Sequence, residues 1–266
     1  MANAGSNAAW HRAEVLPGET EQVVVCVTSY PERIDLAWCA LWSLLLQTYP
    51  SRVVLVLSLE EFQGDTKLPS SLELLKKKGL EIMWTTRNCG CHNKIQPMKA
   101  LHQHAVLVTA DDDTFYPRWW LRRLMSAHAS RPRQILAHRA RRVRIGDDGS
   151  IAPYLRWGPA RLATPSARVF PTAVGGVLYP PRSLPDVAFD TDLALRLSET
   201  NDDIWLWAMR LLAGTPARPV SNEFRRFDTV PGTQSTNLRT LNIRGGKNDE
   251  YIARVTSYFD LLGEIK

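Results

Sequence analysis

Cysteine is scarce in this chain, and no stretch of it stays apolar for long. Four cysteines occur among 266 residues: Cys26, Cys39, Cys89 and Cys91. Cys26 and Cys39 lie inside apolar segments, where a thiol behaves as a small hydrophobe. Cys89-x-Cys91-His92 has no second Cys or His pair at zinc-site spacing, which argues against a structural zinc. So few thiols suit a reducing, cytoplasmic setting. The most apolar run, Leu36–Leu46, is interrupted by Ser43 and falls far short of the ~20 residues of a membrane span. Residues 1–21 lack both a basic start and an apolar core, so they are expected to be a mobile arm and not a signal peptide. Acid is outnumbered by base, 27 Asp+Glu against 33 Lys+Arg, giving a net charge of +6. That surplus suits an anionic partner such as a nucleotide or a membrane face. Arginine is concentrated between Arg118 and Arg144. No helix-turn-helix, zinc-finger or RNP pattern accompanies it, so nucleic acid is not expected as a partner.

What is present is an ordinary globular composition, 44% hydrophobic and 23% charged, which excludes a disordered or fibrous chain. Apolar runs at Val23–Thr28, Val53–Leu57, Glu81–Thr85 and Ala105–Thr109 read as strands. Helical stretches separate them over Ile34–Gln47, Ser70–Lys78 and Lys94–His102. Strands that are apolar throughout and alternate with helices predict a doubly wound sheet covered on both faces. Such sheets bind ligands at the carboxyl ends of their strands. Beyond Pro117 the pattern predicts a helix to about His128, short strands at Ile135–His138 and Val143–Ile145, a turn at Asp147–Gly149, and a Pro-rich irregular stretch to Pro165. A further strand follows over Val174–Tyr179, then a helix over Asp203–Leu212 stopped by Gly214. A polar loop over Asn222–Lys247 and a final helix over Asp249–Leu262 complete the chain. The second half reads as an elaboration of the same sheet.

The sharpest chemical signal is Asp111-Asp112-Asp113, directly after the strand Ala105–Thr109. Three adjacent carboxylates repel one another, and a fold keeps them together only where something offsets their charge. Oxygen ligands at a strand's end suit a hard divalent cation, which in turn can clamp a diphosphate. A second acidic pair, Asp202-Asp203, opens the helix that ends near Leu212. There the helix dipole favours ionised carboxylates, and Asp202 is expected as the cap. Lys94 at a helix start could meet a phosphate, and Arg33 could pair with a diphosphate.

The strand followed by Asp111-x-Asp113 resembles the metal-binding signature of the GT-A glycosyltransferases, in particular the family 2-like bacterial enzymes. Other pieces agree in order: Val27–Arg33 at the end of the first strand, Asn88–Lys94 after the third, Gly175–Pro181, and Asn201–Leu206. The resemblance covers roughly residues 22–215. It implies an α/β, Rossmann-like GT-A fold in one domain, with a nucleotide-sugar-binding half (22–117) and an acceptor-binding half (118–266). It implies Thr28, Ser29, Tyr30, Arg33, Asn88, Lys94, Asp111 and Asp112 as donor-nucleotide contacts, and Asp111 and Asp113 as ligands of Mn²⁺ or Mg²⁺. It also implies Asp203 as general base with Asp202 as its support, and Gly175, Gly176 and Trp205 as acceptor contacts, the glycines leaving room by their lack of a side chain.

The implied activity is inverting, metal-dependent transfer of a sugar from a nucleotide-diphosphate donor to a hydroxyl. The acceptor would be a glycan or lipid-linked molecule of surface polysaccharide synthesis, reached from the cytoplasm with peripheral membrane contact. None of the six histidines lies after His138, so the C-terminal histidine ligand common in that family is missing. Donor phosphates and water then have to complete the metal's coordination. Two other readings stand beside this one. A sugar nucleotidyltransferase should carry a Gly-rich loop near the first strand, and Thr28–Arg33 contains no glycine. A non-catalytic sugar-binding relative would have little use for both acidic clusters.

Overall fold

The computed structural model describes residues 21–64, 66–225, 227–233 and 246–265. The expected arm, up to residue 20, and part of the expected 222–247 loop lie outside these residues.

The first half follows the sequence pattern closely. In order come β1 (Val23–Thr28), α1 (Pro31–Leu45), β2 (Arg52–Ser58), α2 (Ser70–Lys76), β3 (Leu80–Thr85), α3 (Lys99–His102) and β4 (Val106–Thr109). Strands β4, β1, β2 and β3 lie side by side and parallel, with Val25 opposite Val53 and Val108, and Leu55 opposite Ile82. Alternate residues of β1 serve opposite faces, as a pleated strand requires. Val23, Val25 and Val27 pack with Ala37, Leu41 and Leu44 of α1 and Leu72 of α2, whereas Val24 and Cys26 pack with Ile95, Met98 and the C-terminal helices. Both faces are covered, which is why these strands are apolar at nearly every position.

The helix expected over Lys94–His102 is broken into 3₁₀ turns at Gly90–Lys94 and Gln96–Met98 before the single turn of α3. Pro97 is the physical reason: it lacks an amide donor and disfavours α geometry in the residue before it.

The second half holds α4 (Trp120–Ser130), β5 (Ile135–Ala137), β6 (Ala140–Arg142), β7 (Gly158–Pro159), β8 (Val169–Pro171), β9 (Val177–Tyr179), α5 (Thr191–Ser198), α6 (Asp202–Leu212), β10 (Ala217–Pro219), α7 (Lys247–Tyr258) and α8 (Leu262–Ile265). The main sheet has the order β10-β5-β9-β4-β1-β2-β3, and β9 runs antiparallel to both of its neighbours. A small sheet, β7-β6-β8, packs beside it. The strand expected at Val143–Ile145 lies instead at Ala140–Arg142. The strand expected from Val174 begins only at Val177, because Gly175 and Gly176 take positive φ angles of 100° and 93° that break the extended run. The final expected helix is divided into α7 and α8 at Phe259–Leu261.

Candidate functional site

Three loops at the carboxyl edge of the parallel strands bring the charged residues together. The β1–α1 loop supplies Ser29 and the first turn of α1 Arg33, the segment after β3 supplies Lys94, and the loop after β4 supplies Asp111–Asp113. Ser29 Oγ donates to Asp112 Oδ2 at 2.6 Å. Arg33 Nη1 donates to Asp112 Oδ1 at 2.9 Å and to Asp113 Oδ2 at 3.2 Å. Lys94 Nζ donates to Asp111 Oδ1 at 2.5 Å and lies 3.7 Å from Asp202 Oδ2. The charge problem posed by three adjacent aspartates is therefore solved by two cations from other elements. Asp112 faces inward, with a side chain only 6% exposed, while Asp111 and Asp113 are each 18% exposed and lie nearer the mouth.

These contacts set the protonation chemistry. Burial opposes the charge of Lys94, but Asp111 and Asp202 outweigh it and hold the ammonium well above its ordinary range. Burial also raises the carboxyl of Asp112, against the pull of Arg33 and the Ser29 hydroxyl. For Asp113, burial and then the Asp111 charge act in the same raising direction.

The second acidic pair reaches this cluster from the start of α6. Asp202 was expected to cap the helix, but the cap is Asn201, whose Oδ1 accepts from Ile204 N–H at 3.0 Å. Asp202 is thereby released to face Lys94. Asp203 accepts the backbone N–H of Ala173 at 2.7 Å through Oδ1. Burial, followed by the adjacent Asp202 charge, raises the Asp203 carboxyl well above the usual carboxylate range.

Other expected contacts have partners within the protein. Thr28 Oγ1 donates to Val56 O at 2.9 Å, which ties it to β2. Asn88 holds its own loop, accepting Gly90 N–H through Oδ1 at 2.8 Å. The Tyr30 ring stacks near the Arg33 guanidinium, 5.0 Å from its centroid. Trp205 is fully buried, and its indole N–H donates to Ala188 O at 2.8 Å, so it fills the core and does not face an acceptor. The space above the two glycines is also taken. A Cβ on Gly176 would lie 2.4 Å from Trp120, and one on Gly175 would lie 2.9 Å from Phe227. Their missing side chains make room for two aromatic rings of the protein itself, not for an acceptor.

Two contributors escaped the sequence reading. Tyr116 is buried, and its hydroxyl accepts Asp111 N–H at 2.7 Å, fixing the backbone of the acidic loop. Its position five residues after Asp111 was the available signal. Residues 228–233 run beside the same loop: Phe115 N–H donates to Asp228 O, Val230 N–H to Asp113 O, and Arg33 Nη2 to Thr233 O. Nothing in the local sequence announces that pairing.

Among the described residues, no group of three His, Cys, Asp or Glu side chains converges as a protein-built metal cage would. Asp111 and Asp113 nevertheless offer hard oxygen ligands at the mouth. A Mg²⁺-like ion is commonly held by one or two carboxylates together with substrate phosphates. The donor set fits an ion of that kind.

No protein-family model matches the chain, and no curated protein sequence does. Solved structures do resemble it. A mannosyltransferase from Pyrobaculum calidifontis, solved with GDP-mannose and Mn²⁺, is 15% identical at a TM-score of 0.57, covering 96% of this chain and 73% of its own. TarS residues 1–349 of S. aureus is 14% identical at a TM-score of 0.47, over 77% of this chain and 59% of its own. The chain thus spans about three fifths of that structure. A 4-diphosphocytidyl-2C-methyl-D-erythritol synthase from Anaerococcus prevotii is 11% identical at a TM-score of 0.47, over 77% of this chain and 88% of its own. The mixed seven-stranded sheet flanked by helices is the GT-A fold.

Proposed function

We propose that this protein is an inverting glycosyltransferase that moves a sugar from a nucleotide-diphosphate donor to a hydroxyl of a glycan or lipid-linked acceptor. The observation that carries the reading is the junction at Lys94, where the acidic loop after β4 meets the acidic start of α6. One cluster can handle phosphates while the other, joined to it through Lys94, handles a proton.

In this reading the donor lies along the carboxyl edge of the sheet, over β1 and β4. Arg33 and Lys94 already stand beside the carboxylates and present positive charge to the diphosphate. Asp111 and Asp113 would hold Mn²⁺ or Mg²⁺ there, whose charge stabilises the departing nucleoside diphosphate. Ser29, Tyr116 and Asp112 fix the loop that carries these groups. Asp203 takes the proton from the acceptor hydroxyl as its oxygen attacks the anomeric carbon. Its raised carboxyl gives it a greater proton affinity than an ordinary aspartate, which favours that step. Asp202, 3.7 Å from Lys94, stands beside Asp203 and supports its raised proton affinity. A single base and no positioned nucleophile give one displacement and therefore inversion.

The test is a panel of nucleotide sugars assayed for nucleotide release, with EDTA and with added Mn²⁺. Release that depends on one donor and on the metal supports the reading, and NMR of the product should show inversion. Equal turnover in EDTA and in Mn²⁺ would remove Asp111 and Asp113 from a metal role. Retention would overturn the single displacement.

A further inference from the structure

The outer side of α1 carries an apolar stripe that the proposed reaction does not use. Trp38, Trp42 and Leu46 are 41%, 38% and 38% exposed. Their spacing of four residues stacks them on one face of the helix. Helix α1 is the middle member of the layer that covers one face of the sheet, between α2 and α4. Single exposed hydrophobics are unremarkable, but two tryptophans and a leucine in line form a patch.

Basic residues gather at the C-terminal end of the stripe. Strands β1, β2 and β3 are parallel, so the helices that connect them run in one direction and end at the same edge. At that edge α2 ends in the exposed Lys76, Lys77 and Lys78, of which Lys76 is paired with Glu73. On the other flank, Arg122 donates to Thr48 O and Thr48 Oγ1, and Arg118 O accepts Thr48 N–H, which sets both arginines beside the end of α1. Of the acids of α1, Glu32 lies in the first turn and Asp35 one turn before Trp38, away from the basic end.

We infer that this face of α1, with its flanking Lys and Arg residues, docks on an anionic lipid bilayer. Tryptophan is suited to the boundary between acyl chains and headgroups, since its ring is apolar and its N–H polar. Lysine and arginine next to such a stripe are drawn to anionic headgroups. A symmetric contact between two copies would set these same cations against one another.

The test uses the whole chain and vesicles of phosphatidylcholine with or without phosphatidylglycerol. Sedimentation should show binding about tenfold stronger when phosphatidylglycerol is present, and high salt should erase the difference. Trp38→Ser/Trp42→Ser should lose about tenfold or more of that binding, together with the fluorescence quenching caused by brominated lipid. Arg118→Gln/Lys77→Gln should lose the phosphatidylglycerol preference and keep residual binding. Calorimetric donor binding should be unchanged in every variant. That readout separates this inference from the transferase reading, whose failure appears as absent donor binding in the wild type. Equal pelleting of the wild type and the double tryptophan variant would overturn the inference. So would a dimer in sedimentation velocity that the same variant dissolves.

Discussion

Asp111–Asp113 and Asp202–Asp203 meet through Lys94, which contacts Asp111 and Asp202, but are maintained in different ways. The first cluster is held by cations and a hydroxyl: Arg33 bridges two of its members, Lys94 holds the third, and Ser29 holds the buried one. The second has one cation at 3.7 Å and one backbone N–H, and its inner member holds a proton far more tightly than a free aspartate. Carboxylates balanced by cations are suited to exchange those partners for a metal and a diphosphate. A carboxyl raised by burial and a like charge is suited to accept a proton. The same residue type is therefore prepared for two tasks by its surroundings.

The comparison breaks most sharply at position 203. Asp203→Asn keeps the size and the hydrogen bond to Ala173 but cannot take a proton. General-base catalysis is typically worth about 10²–10⁴-fold, so kcat should fall by that factor while calorimetric donor affinity stays. Asp113→Ala should do the reverse, weakening donor binding in Mn²⁺. Loss of donor binding in Asp203→Asn would move that residue to the phosphate side.

Removing a cation tests the first cluster. Arg33→Met leaves Asp112, 6% exposed, with only Ser29. Breaking a buried pair from one side should cost about 3 kcal/mol or more in a urea melt. A variant as stable as wild type would mean that Ser29 alone suffices. Next comes the packing beneath the glycine turn. Gly176→Ala drives a methyl into Trp120, whose indole N–H also donates to Gly175 O at 2.6 Å, at a φ that side chains rarely adopt. It should cost about 3 kcal/mol, and a harmless methyl would return this turn to the acceptor role.

A smaller effect comes from two histidines outside both clusters. Burial lowers His102 and His138 from 6.5 to about 4. The unfolded chain then binds more protons than the folded one between those values. Stability is complete above pH 6.5 and declines as pH falls toward 4. Going from pH 7 to pH 5 should cost about 2 kcal/mol for each histidine. His102 Nε2 accepts Leu184 N–H at 3.0 Å, which requires the neutral ring. Because the raised Asp203 carboxyl works in the opposite direction, the urea melts compare variants: the pH 7 to pH 5 loss should shrink in His102→Gln, and an unchanged loss in that variant would contradict the assignment. Smallest is the helix cap, where Asn201→Ala should cost about 1 kcal/mol by thermal melt. No loss there would return the capping role to Asp202.

The first half of the fold was readable because its strands are buried on both sides, so an apolar run and a strand coincide. The region from 135 to 180 was harder to read, since its strands are two or three residues long and display no periodicity. Trp205 was misplaced even though the sequence carried the clue: α6 is apolar around nearly its whole circumference from Ile204 to Met209, the mark of a buried helix. The acidic clusters were legible because like charges held together demand an explanation. Their partners were not, since Lys94 meets Asp111 and Asp202 only after the chain has folded, across 17 and 108 positions of sequence.

Strand β9 carries a consequence for the order in which the molecule is built. It sits between β4 and β5, with Leu178 opposite Val108 on one side and Leu136 on the other. In a growing chain β1 to β4 can pair as soon as they emerge, whereas β5 has no place in the sheet until residue 177 has been made. Until then β4 is an open edge with three apolar residues, Val106–Val108, the kind of edge that recruits another chain. The three aspartates that follow it immediately put a block of negative charge on that edge. A charge block beside an apolar edge is what guards a strand against aggregation, so neutralising these aspartates should lower the yield of refolded protein before any donor is added.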